Sequence, residues 1–496
     1  PWREVNISIT HLLKSDPISR ILFLTVASIA LLGFLQGLAP PNDYDGLMYH
    51  LSIPLYDVEV GKITVPNDTR GLQALFPGMM SNLTRFSLVF LNGEAAQLSH
   101  GIYGIAAMAG TAALVLRLGY SARTALTAAL FFISIRAVVW QIGTVETDLP
   151  LSGFLVSTVL IYTVWRNTQS PGLAILFGTM IGGMILSKYI GLALALAIGP
   201  ALMFDMVKSR NWRSGLIGPT ISFVLILPHL MRNASLTNNP IYPLFNSVFN
   251  PNHVDSYGGI ASAYGTGRDL IDLITGTWNI FIVPMQYFDG MVIGAPYLLV
   301  FAPFVFLGGK SLYKWSSVIS ALAIFYVIWF YYLSQQVRFL MPIMPLIAAM
   351  SAAGAFYMWE RVKSFTSVKI GFVTFLVLLG LNQAMFIGVY SIIRIPAAFG
   401  MISPEKYHSN TPTMNGAFYK TCTYIRKNIK AGEVFYSALG IPSYYCPQSS
   451  VAYRQLFEED PWFLSDGTRK KYTRQQFIKK LEKIEFRYFI LMESYH

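Results

Sequence analysis

Long apolar runs separated by short polar stretches dominate this chain. The first covers residues 21–38, and ten runs of similar character follow it. Because about 20 apolar residues cross the hydrocarbon core of a bilayer as a helix, the pattern predicts about eleven transmembrane helices. The later ten are predicted at residues 96–116, 125–140, 149–165, 173–186, 190–206, 215–230, 291–307, 318–333, 339–358 and 370–390.

The charges of the short loops predict the orientation of these spans. Basic residues collect in alternate loops, and loops rich in Lys and Arg stay on the cytoplasmic side. Arg3, Lys14 and Arg20 precede the first span, so the N-terminus is expected inside. No small-residue cleavage site follows them, and the first span is therefore expected to remain as an anchor. Two longer loops, 40–95 and 231–290, are then predicted outside.

The first outer loop contains a one-sided apolar stripe over residues 72–90. Apolar side chains recur there at steps of three and four residues, which predicts a helix. Asn82 and Arg85 lie off the stripe and would be costly in hydrocarbon. The helix is therefore predicted to lie along the membrane surface rather than to span it.

The composition becomes polar after residue 402. This change divides the chain into a transmembrane domain, 1–402, and a predicted outer α/β domain, 403–496. Within the second, strands are predicted at 433–438 and 486–492, and an amphipathic helix at 474–484. The only two cysteines of the chain, Cys422 and Cys446, both lie there, 24 positions apart. Since disulfides persist in oxidising compartments, a bond between them is predicted.

Composition supports a polytopic membrane protein. Of the 496 residues 54% are hydrophobic and 12% are charged, with a mean hydropathy of +0.48. A net charge of +12 could indicate nucleic-acid binding. The basic residues lie mostly in short loops and in the C-terminal segment, however, where membrane topology explains them. No nucleic-acid partner is therefore expected, whereas membrane lipids are.

Several ionisable residues return to the predicted outer face near the ends of spans. A carboxylate can act as a general base, and Lys and Arg can bind and stabilise a phosphate leaving group. Each residue also has a structural explanation. The aspartates could cap helices, and Lys188 could extend from the end of a span to the membrane surface. Arg338 could anchor its span, and His50 has no second histidine or cysteine at the spacing of metal ligands. The residues are Asp43, Asp45, His50, Glu146, Asp148, Lys188, Arg232 and Arg338.

Four motifs in order resemble the membrane-embedded glycosyltransferases of the GT-C superfamily, over about residues 18–400. An acidic residue after the first span is followed by a tyrosine four positions later and by a glycine that ends the next short helix: Asp45, Tyr49 and Gly61. The other three motifs are Glu146-Thr-Asp148-Leu-Pro150-Leu, Ser187-Lys188-Tyr189, and Gln336-Val-Arg338-Phe339-Leu-Met-Pro342-Ile-Met-Pro345. A segment from Arg232 to Tyr242-Pro243 is similar to one in bacterial members.

The resemblance implies a GT-C-like fold and transfer of a sugar, with inversion, from a polyprenyl-phosphate carrier to an acceptor hydroxyl of a protein, lipid or glycan. It also implies a bacterial inner-membrane location, with the C-terminal domain extracytoplasmic. No cofactor follows from it, although a divalent cation is left open. It assigns acid and base roles to Asp45, Asp43 and Asp148, and substrate binding to Glu146, Tyr49, Lys188, Tyr189, Arg232 and Arg338.

One departure from the family pattern keeps other functions open. Gly46 stands where the family usually has a second acid directly after the first. A non-catalytic subunit or scaffold with the same fold therefore remains an alternative. A transporter or flippase is a weaker one, because the sequence has neither an internal repeat nor a pair of broken helices. For the enzyme, we expect one cavity on the outer side that brings together Asp45, Asp148, Lys188 and Arg338.

Overall fold

The described part of the chain is built almost entirely of helices. The computed structural model describes residues 16–66, 71–251, 264–411, 416–428, 435–437, 444–446, 450–452, 473–482 and 488–490. The helices up to residue 237 are α1 Pro17–Gln36, α2 Ser52–Val60, α3 Met79–Phe90, α4 Gly93–Arg117, α5 Ala122–Ile133, α6 Arg136–Ile142, α7 Asp148–Thr168, α8 Pro171–Ser187, α9 Ile190–Ser209 and α10 Trp212–Thr237. The later ones are α11 Asn246–Phe249, α12 Leu270–Ile282, α13 Tyr297–Phe301, α14 Ser316–Tyr332, α15 Met344–Val362, α16 Thr366–Ala398, α17 Pro404–Ser409, α18 Gly416–Asn428 and α19 Arg474–Glu482.

Eight helical segments in the described ranges are long and apolar enough to cross a bilayer. Each coincides with a span predicted from the sequence. Since the described backbone is helical throughout these segments, most of its polar groups are satisfied within each helix, as a hydrocarbon environment requires. The segments are Pro17–Gln36, Gly93–Arg117, Asp148–Thr168, Ile190–Ser209, Trp212–Thr237, Leu312–Tyr332, Val337–Val362 and Thr366–Ala398.

The remaining three predicted spans have shorter or bent counterparts. The span predicted at 125–140 is a pair of helices, α5 and α6, bent by 73°. Two others correspond to the shorter apolar helices Pro171–Ser187 and Tyr297–Gly308. A helix of 17 residues is about 26 Å long, slightly less than the hydrocarbon thickness. The predicted count of eleven therefore stays a prediction.

The loop predicted over 231–290 holds an apolar helix that the sequence reading missed. This helix, α12, has 13 residues, and a helix of that length is too short to span. Its outer surface is apolar, with Ile271, Ile274 and Ile282 each more than three-fifths exposed. At its N-terminus Asp269 and Asp272 form a reciprocal capping box, which is a local signature of a helix start.

The apolar stripe predicted over 72–90 is a helix only in its second part. A single 3₁₀ turn, Gln73–Leu75, precedes Pro77, and α3 starts at Met79. Proline disfavours a helical conformation at the residue before it, and Phe76 is accordingly extended. At 12 residues, α3 is too short for a twelfth span. It exposes Phe86 and Phe90, as a membrane-facing stripe would.

Close backbone contact holds α8 against α10. A Cβ added to Gly178 would lie 2.3 Å from the carbonyl oxygen of Gly218, so only glycine fits. The Ser222 hydroxyl donates to the carbonyl of Gly178 at 2.8 Å across the same contact. Small residues and interhelical hydrogen bonds of this kind are typical of helix packing in membranes. The contact fixes α8, and Lys188 follows its last residue.

The C-terminal segment contains a small parallel sheet. Strand β1, Phe435–Ser437, lies between β2, Ser450–Ala452, and β3, Tyr488–Ile490. Two of these strands and helix α19 coincide with predicted elements, whereas β2 was not predicted. Cys422 and Cys446 are disulfide-bonded, with their Cα atoms 4.7 Å apart, which confirms that prediction. The domain boundary at 402 stays a prediction.

Candidate active site

The stretch after α1 is fixed by contacts with other helices. The side-chain amide of Gln97 on α4 donates to the carbonyls of Gly37 and Ala39, at 2.9 and 2.7 Å. The chain then passes through a wide helical turn, Gly46–His50, into α2. Helix α2 ends at Gly61, whose φ of +70° is in the left-handed region that glycine adopts freely. The glycine that the resemblance singled out therefore does end a short helix.

Asp43 is a structural cap of this turn. Its side chain is fully buried, and Oδ2 accepts a hydrogen bond from the backbone N–H of Gly46 at 2.7 Å. A Cβ on Gly46 would lie 2.2 Å from the same oxygen. Burial raises the pKa of Asp43 to about 6. The glycine that departs from the family pattern is thus required by the position of the Asp43 carboxylate.

Asp45 does not cap the helix that follows it. Its Oδ2 instead forms an ion pair with Nη1 of Arg338 at 2.5 Å. Burial raises the pKa of the Asp45 carboxyl, but the positive charge of Arg338 and other neighbours outweigh it, so the pKa lies below the usual range. The Tyr49 hydroxyl also hydrogen-bonds to this carboxylate. Asp45 is therefore an ionised acceptor at neutral pH.

Arg338 is shared among three carboxylates. Besides Asp45, its Nη1 lies 3.5 Å from Oε2 of Glu146, and its Nε pairs with Asp289. Burial, reinforced by the charge of Asp45, raises the pKa of Glu146 well above its ordinary value. Burial also raises the pKa of Asp289. With a side chain only 13% exposed, Arg338 does not reach lipid or bulk water as a topology anchor would.

A second ion pair lies beside the first. Lys188, between α8 and α9, places Nζ 2.7 Å from Oδ1 of Asp148, and Gln141 donates to the other oxygen of that carboxylate at 3.3 Å. Asp148 is the first residue of α7, and the N-cap position belongs to Thr147. Lys188 Nζ lies 4.7 Å from the centroid of the Phe339 ring, and the Arg338 guanidinium lies 5.9 Å from the same centroid. Both cations therefore flank one aromatic ring.

Tyr189 and Arg232 lie in a neighbouring network rather than against the carboxylates. The Tyr189 hydroxyl is 2.9 Å from Nε2 of His229 and accepts from Asn233 at 3.1 Å. Arg232 donates to the backbone carbonyl of Ala74 at 3.1 Å. These contacts hold the 3₁₀ turn of the first loop against α10. A direct role of either residue in substrate binding stays a prediction.

His50 remains an interior packing residue. Its ring lies 4.2 Å from that of Tyr49, and burial lowers its pKa to about 3, so the imidazole is neutral. Among the described residues, no group of three or more His, Cys, Asp or Glu side chains is arranged to hold a metal ion. The carboxylates of Asp45, Glu146 and Asp289 instead converge on Arg338.

Sequence reasoning missed three supporting residues. Asp289 lies in a predicted loop, His100 within a predicted span, and Arg394 just beyond the last one. His100 is fully buried and joins α4 to two partners, the Glu146 carbonyl and the Thr84 hydroxyl, each at 3.2 Å. For His100 the available clue was a titratable residue inside an apolar run, since such residues in membrane helices generally have a partner.

Arg394 joins both acidic segments to α16. Its Nη1 donates to the Gly143 carbonyl at 2.8 Å and its Nη2 to Oδ1 of Asn42 at 2.7 Å. The guanidinium also lies over the ring of Tyr390, 4.7 Å from its centroid. Asn42 directly precedes Asp43, and Gly143 precedes Glu146 by three positions. One side chain therefore sets the distance between the two loops that carry the carboxylates.

We expect Arg394→Ala to lower stability and to loosen both acidic segments. It leaves two buried acceptors unpaired, each at a cost of about 1–3 kcal/mol. Thermal unfolding in detergent measures the first effect, and hydrogen–deuterium exchange of residues 42–46 and 143–148 measures the second. Asn42→Ala, which removes one of the two partners, is the matched control and should cost less in both. Equal effects of the two variants would contradict the bridging role.

Fold and site together define a multi-pass helical membrane protein whose acid and base side chains meet at one end of the helix bundle. The family model for dolichyl-phosphate-mannose-protein mannosyltransferase matches residues 81–234, less than half of the chain. No curated protein sequence matches this chain.

Solved structures give the fold. Apo ArnT from Cupriavidus metallidurans is 14% identical and superposes with a TM-score of 0.56, covering 87% of this chain and 85% of that one. The same protein bound to undecaprenyl phosphate is 13% identical, with the same TM-score and coverage. The apo oligosaccharyltransferase from Archaeoglobus fulgidus is 12% identical at a TM-score of 0.57, covering 94% of this chain and 69% of that one. The chain therefore has a GT-C-like fold, which confirms the resemblance noted in the sequence.

Proposed function

We propose that the protein is a membrane glycosyltransferase that moves a sugar from a polyprenyl-phosphate carrier to an acceptor hydroxyl. The observation that carries this proposal is the adjacency of two ion pairs, Asp45–Arg338 and Lys188–Asp148, around Phe339. Such a site supplies one carboxylate base and two cations, the groups that nucleophilic displacement of a phosphate at the anomeric carbon of a sugar needs. The matched mannosyltransferase family and the undecaprenyl-phosphate complex of ArnT support the same carrier class.

In the proposed reaction, Asp45 takes the proton of the acceptor hydroxyl. The acceptor oxygen bonds to the anomeric carbon while the bond from that carbon to the phosphate oxygen breaks. The electron pair leaves with polyprenyl phosphate, whose added negative charge is stabilised by Lys188 and Arg338. A single displacement of this kind inverts the anomeric centre. Asp148 holds Lys188 in place, 2.7 Å away.

We place this reaction at the outer face of a bacterial inner membrane. Basic loops on the opposite side support that orientation, as does the disulfide in the C-terminal segment. The non-catalytic alternative depended on Gly46. Because the Asp43 carboxylate excludes any side chain at that position, the glycine has a local explanation and does not by itself argue against activity.

Purified protein in lipid vesicles tests the proposal. Labelled polyprenyl-phosphate sugars of different identity are supplied with protein, lipid and glycan acceptors, and transfer is measured alongside donor binding by native mass spectrometry. We expect binding of the polyprenyl phosphate and transfer of one sugar, with inverted stereochemistry. Absence of donor binding would overturn the proposal, and binding without transfer to any acceptor would favour the non-catalytic alternative.

Adding a chelator to the transfer assay tests whether the reaction needs a divalent cation. Asp45, Glu146 and Asp289 converge on the Arg338 guanidinium, so a side-chain cation already occupies the position between these carboxylates. We therefore propose that transfer persists in EDTA. Loss of activity in EDTA that Mg²⁺ or Mn²⁺ restores would assign the carboxylates to a metal ion instead.

A further inference from the structure

A turn in the C-terminal segment contacts both ends of the acidic stretch. The backbone N–H of Tyr444 donates to the carbonyl of Leu47 at 3.1 Å. The hydroxyl of Tyr445 donates to the carbonyl of Pro41 at 2.9 Å. Pro41 and Leu47 directly flank residues 42–46, which carry Asp43 and Asp45. Two adjacent residues of the turn thus bridge the loop from one side to the other.

The Tyr444 ring also packs under the second acidic segment. It lies against a small buried cluster formed by Leu51, Ala96 and Val145, and Val145 directly precedes Glu146. At Gly93, an added Cβ would be 2.4 Å from the Tyr444 hydroxyl, so the start of α4 is also in close contact with this ring. One side chain therefore touches the elements that position both Asp45 and Glu146.

The disulfide and an aromatic cluster hold the turn itself. Cys446 is bonded to Cys422 on α18, and both residues are buried. The Tyr445 ring packs edge-on against His408 and Tyr419, with centroids 5.1 Å apart in each pair. The turn is thus covalently tied to one helix and packed against another before it reaches the acidic loop.

We propose that residues 444–446 form a positioning element of the active centre, and that this element depends on the disulfide. The turn binds both ends of the acidic loop, Pro41 and Leu47, and so keeps Asp45 opposite Arg338. The disulfide keeps the turn in contact with this loop. Reduction of the Cys422–Cys446 bond then loosens the loop although no residue of the loop is changed. The effect on turnover rests on the proposed function, whereas the effect on the loop does not.

Hydrogen–deuterium exchange of the intact protein tests the contact directly. Tyr445→Phe removes only the hydroxyl that bonds to Pro41. The matched control is Tyr424→Phe, at a 59% exposed tyrosine on α18. We expect amides of residues 42–60 to exchange about 2- to 10-fold faster in Tyr445→Phe and to remain unchanged in Tyr424→Phe. Reductant should accelerate exchange in the wild type but have no further effect on Cys422→Ser/Cys446→Ser.

The activity arm separates positioning from simple loss of folded protein. With the thermal midpoint above the assay temperature, Tyr445→Phe should lower kcat and leave the donor KM close to wild type, because Lys188 and Arg338 are unchanged. Unaltered exchange in both Tyr445→Phe and reduced wild type would overturn the positioning role. If exchange is faster in Tyr445→Phe and in reduced wild type, but the untreated wild type transfers no sugar, only the proposed function is refuted.

Discussion

Asp45→Asn is expected to abolish transfer while leaving the protein folded and able to bind the donor. A positioned general base contributes about 10²- to 10⁴-fold to a rate, and the amide cannot take the acceptor proton. The replacement has nearly the same shape, and its oxygen can still accept from Arg338. Single-turnover transfer of labelled sugar measures the loss, and donor binding by native mass spectrometry should change much less.

Asp43→Asn is the matched control, two positions away. The Asp43 carboxylate is 0% exposed and caps the turn through the N–H of Gly46, whereas Asp45 is 14% exposed beside Arg338. An amide oxygen can keep the cap, so this variant should retain most of the chemical rate. A transfer rate that survives in Asp45→Asn and disappears in Asp43→Asn would reverse the assignment.

The pH profile separates the same two residues without mutation. A base acts only when deprotonated, so activity rises as the pH passes its pKa. The charge of Arg338 holds the pKa of Asp45 below its ordinary value near 4 despite burial, and activity should be constant down to that range. Burial raises the pKa of Asp43 to about 6 and that of Glu146 well above its ordinary value, so an acidic limb near pH 6 would indicate one of these two carboxyls instead of Asp45.

Hydropathy predicted the eight long spans because it depends on local composition. The orientation inferred from loop charge stays a prediction. The candidate site residues were also visible as ionisable groups at span ends, and the structure pairs Asp45 and Glu146 with Arg338 and Asp148 with Lys188. What the sequence could not predict was which partner each group has. The capping role belongs to Asp43, not to Asp45 or Asp148, and only the three-dimensional contacts distinguish them.

The missed residues share one physical cause. Asp289 follows an apolar helix in what looked like a loop, and its importance comes from a contact with Arg338, 49 positions away (338 − 289). Arg394 lies just beyond the predicted end of the last span, on the predicted outer side, where the positive-inside rule does not account for an arginine. Its two hydrogen bonds reach loops 251 and 352 positions away. Pairings at such separations leave no periodic pattern in the sequence.

Arg338→Gln is expected to reduce both stability and donor binding, for separable reasons. Removing one partner of a buried ion pair costs about 3–5 kcal/mol, because a charge is left uncompensated. Here Asp45 and Asp289 both lose their partner. The phosphate of the donor also loses a cation. Thermal unfolding in detergent measures the first effect, and polyprenyl-phosphate binding measures the second.

The double variant Asp289→Asn/Arg338→Gln distinguishes the two effects. Neutralising Asp289 removes one of the uncompensated charges, so the thermal midpoint should recover in part, while donor affinity should stay low. Arg338→Lys keeps the charge but not the planar fork that reaches several oxygens at once, and should bind the donor with intermediate affinity. If the double variant regained full donor binding, Arg338 would serve only to balance the carboxylates, and stabilisation of the leaving phosphate would fall to Lys188 alone.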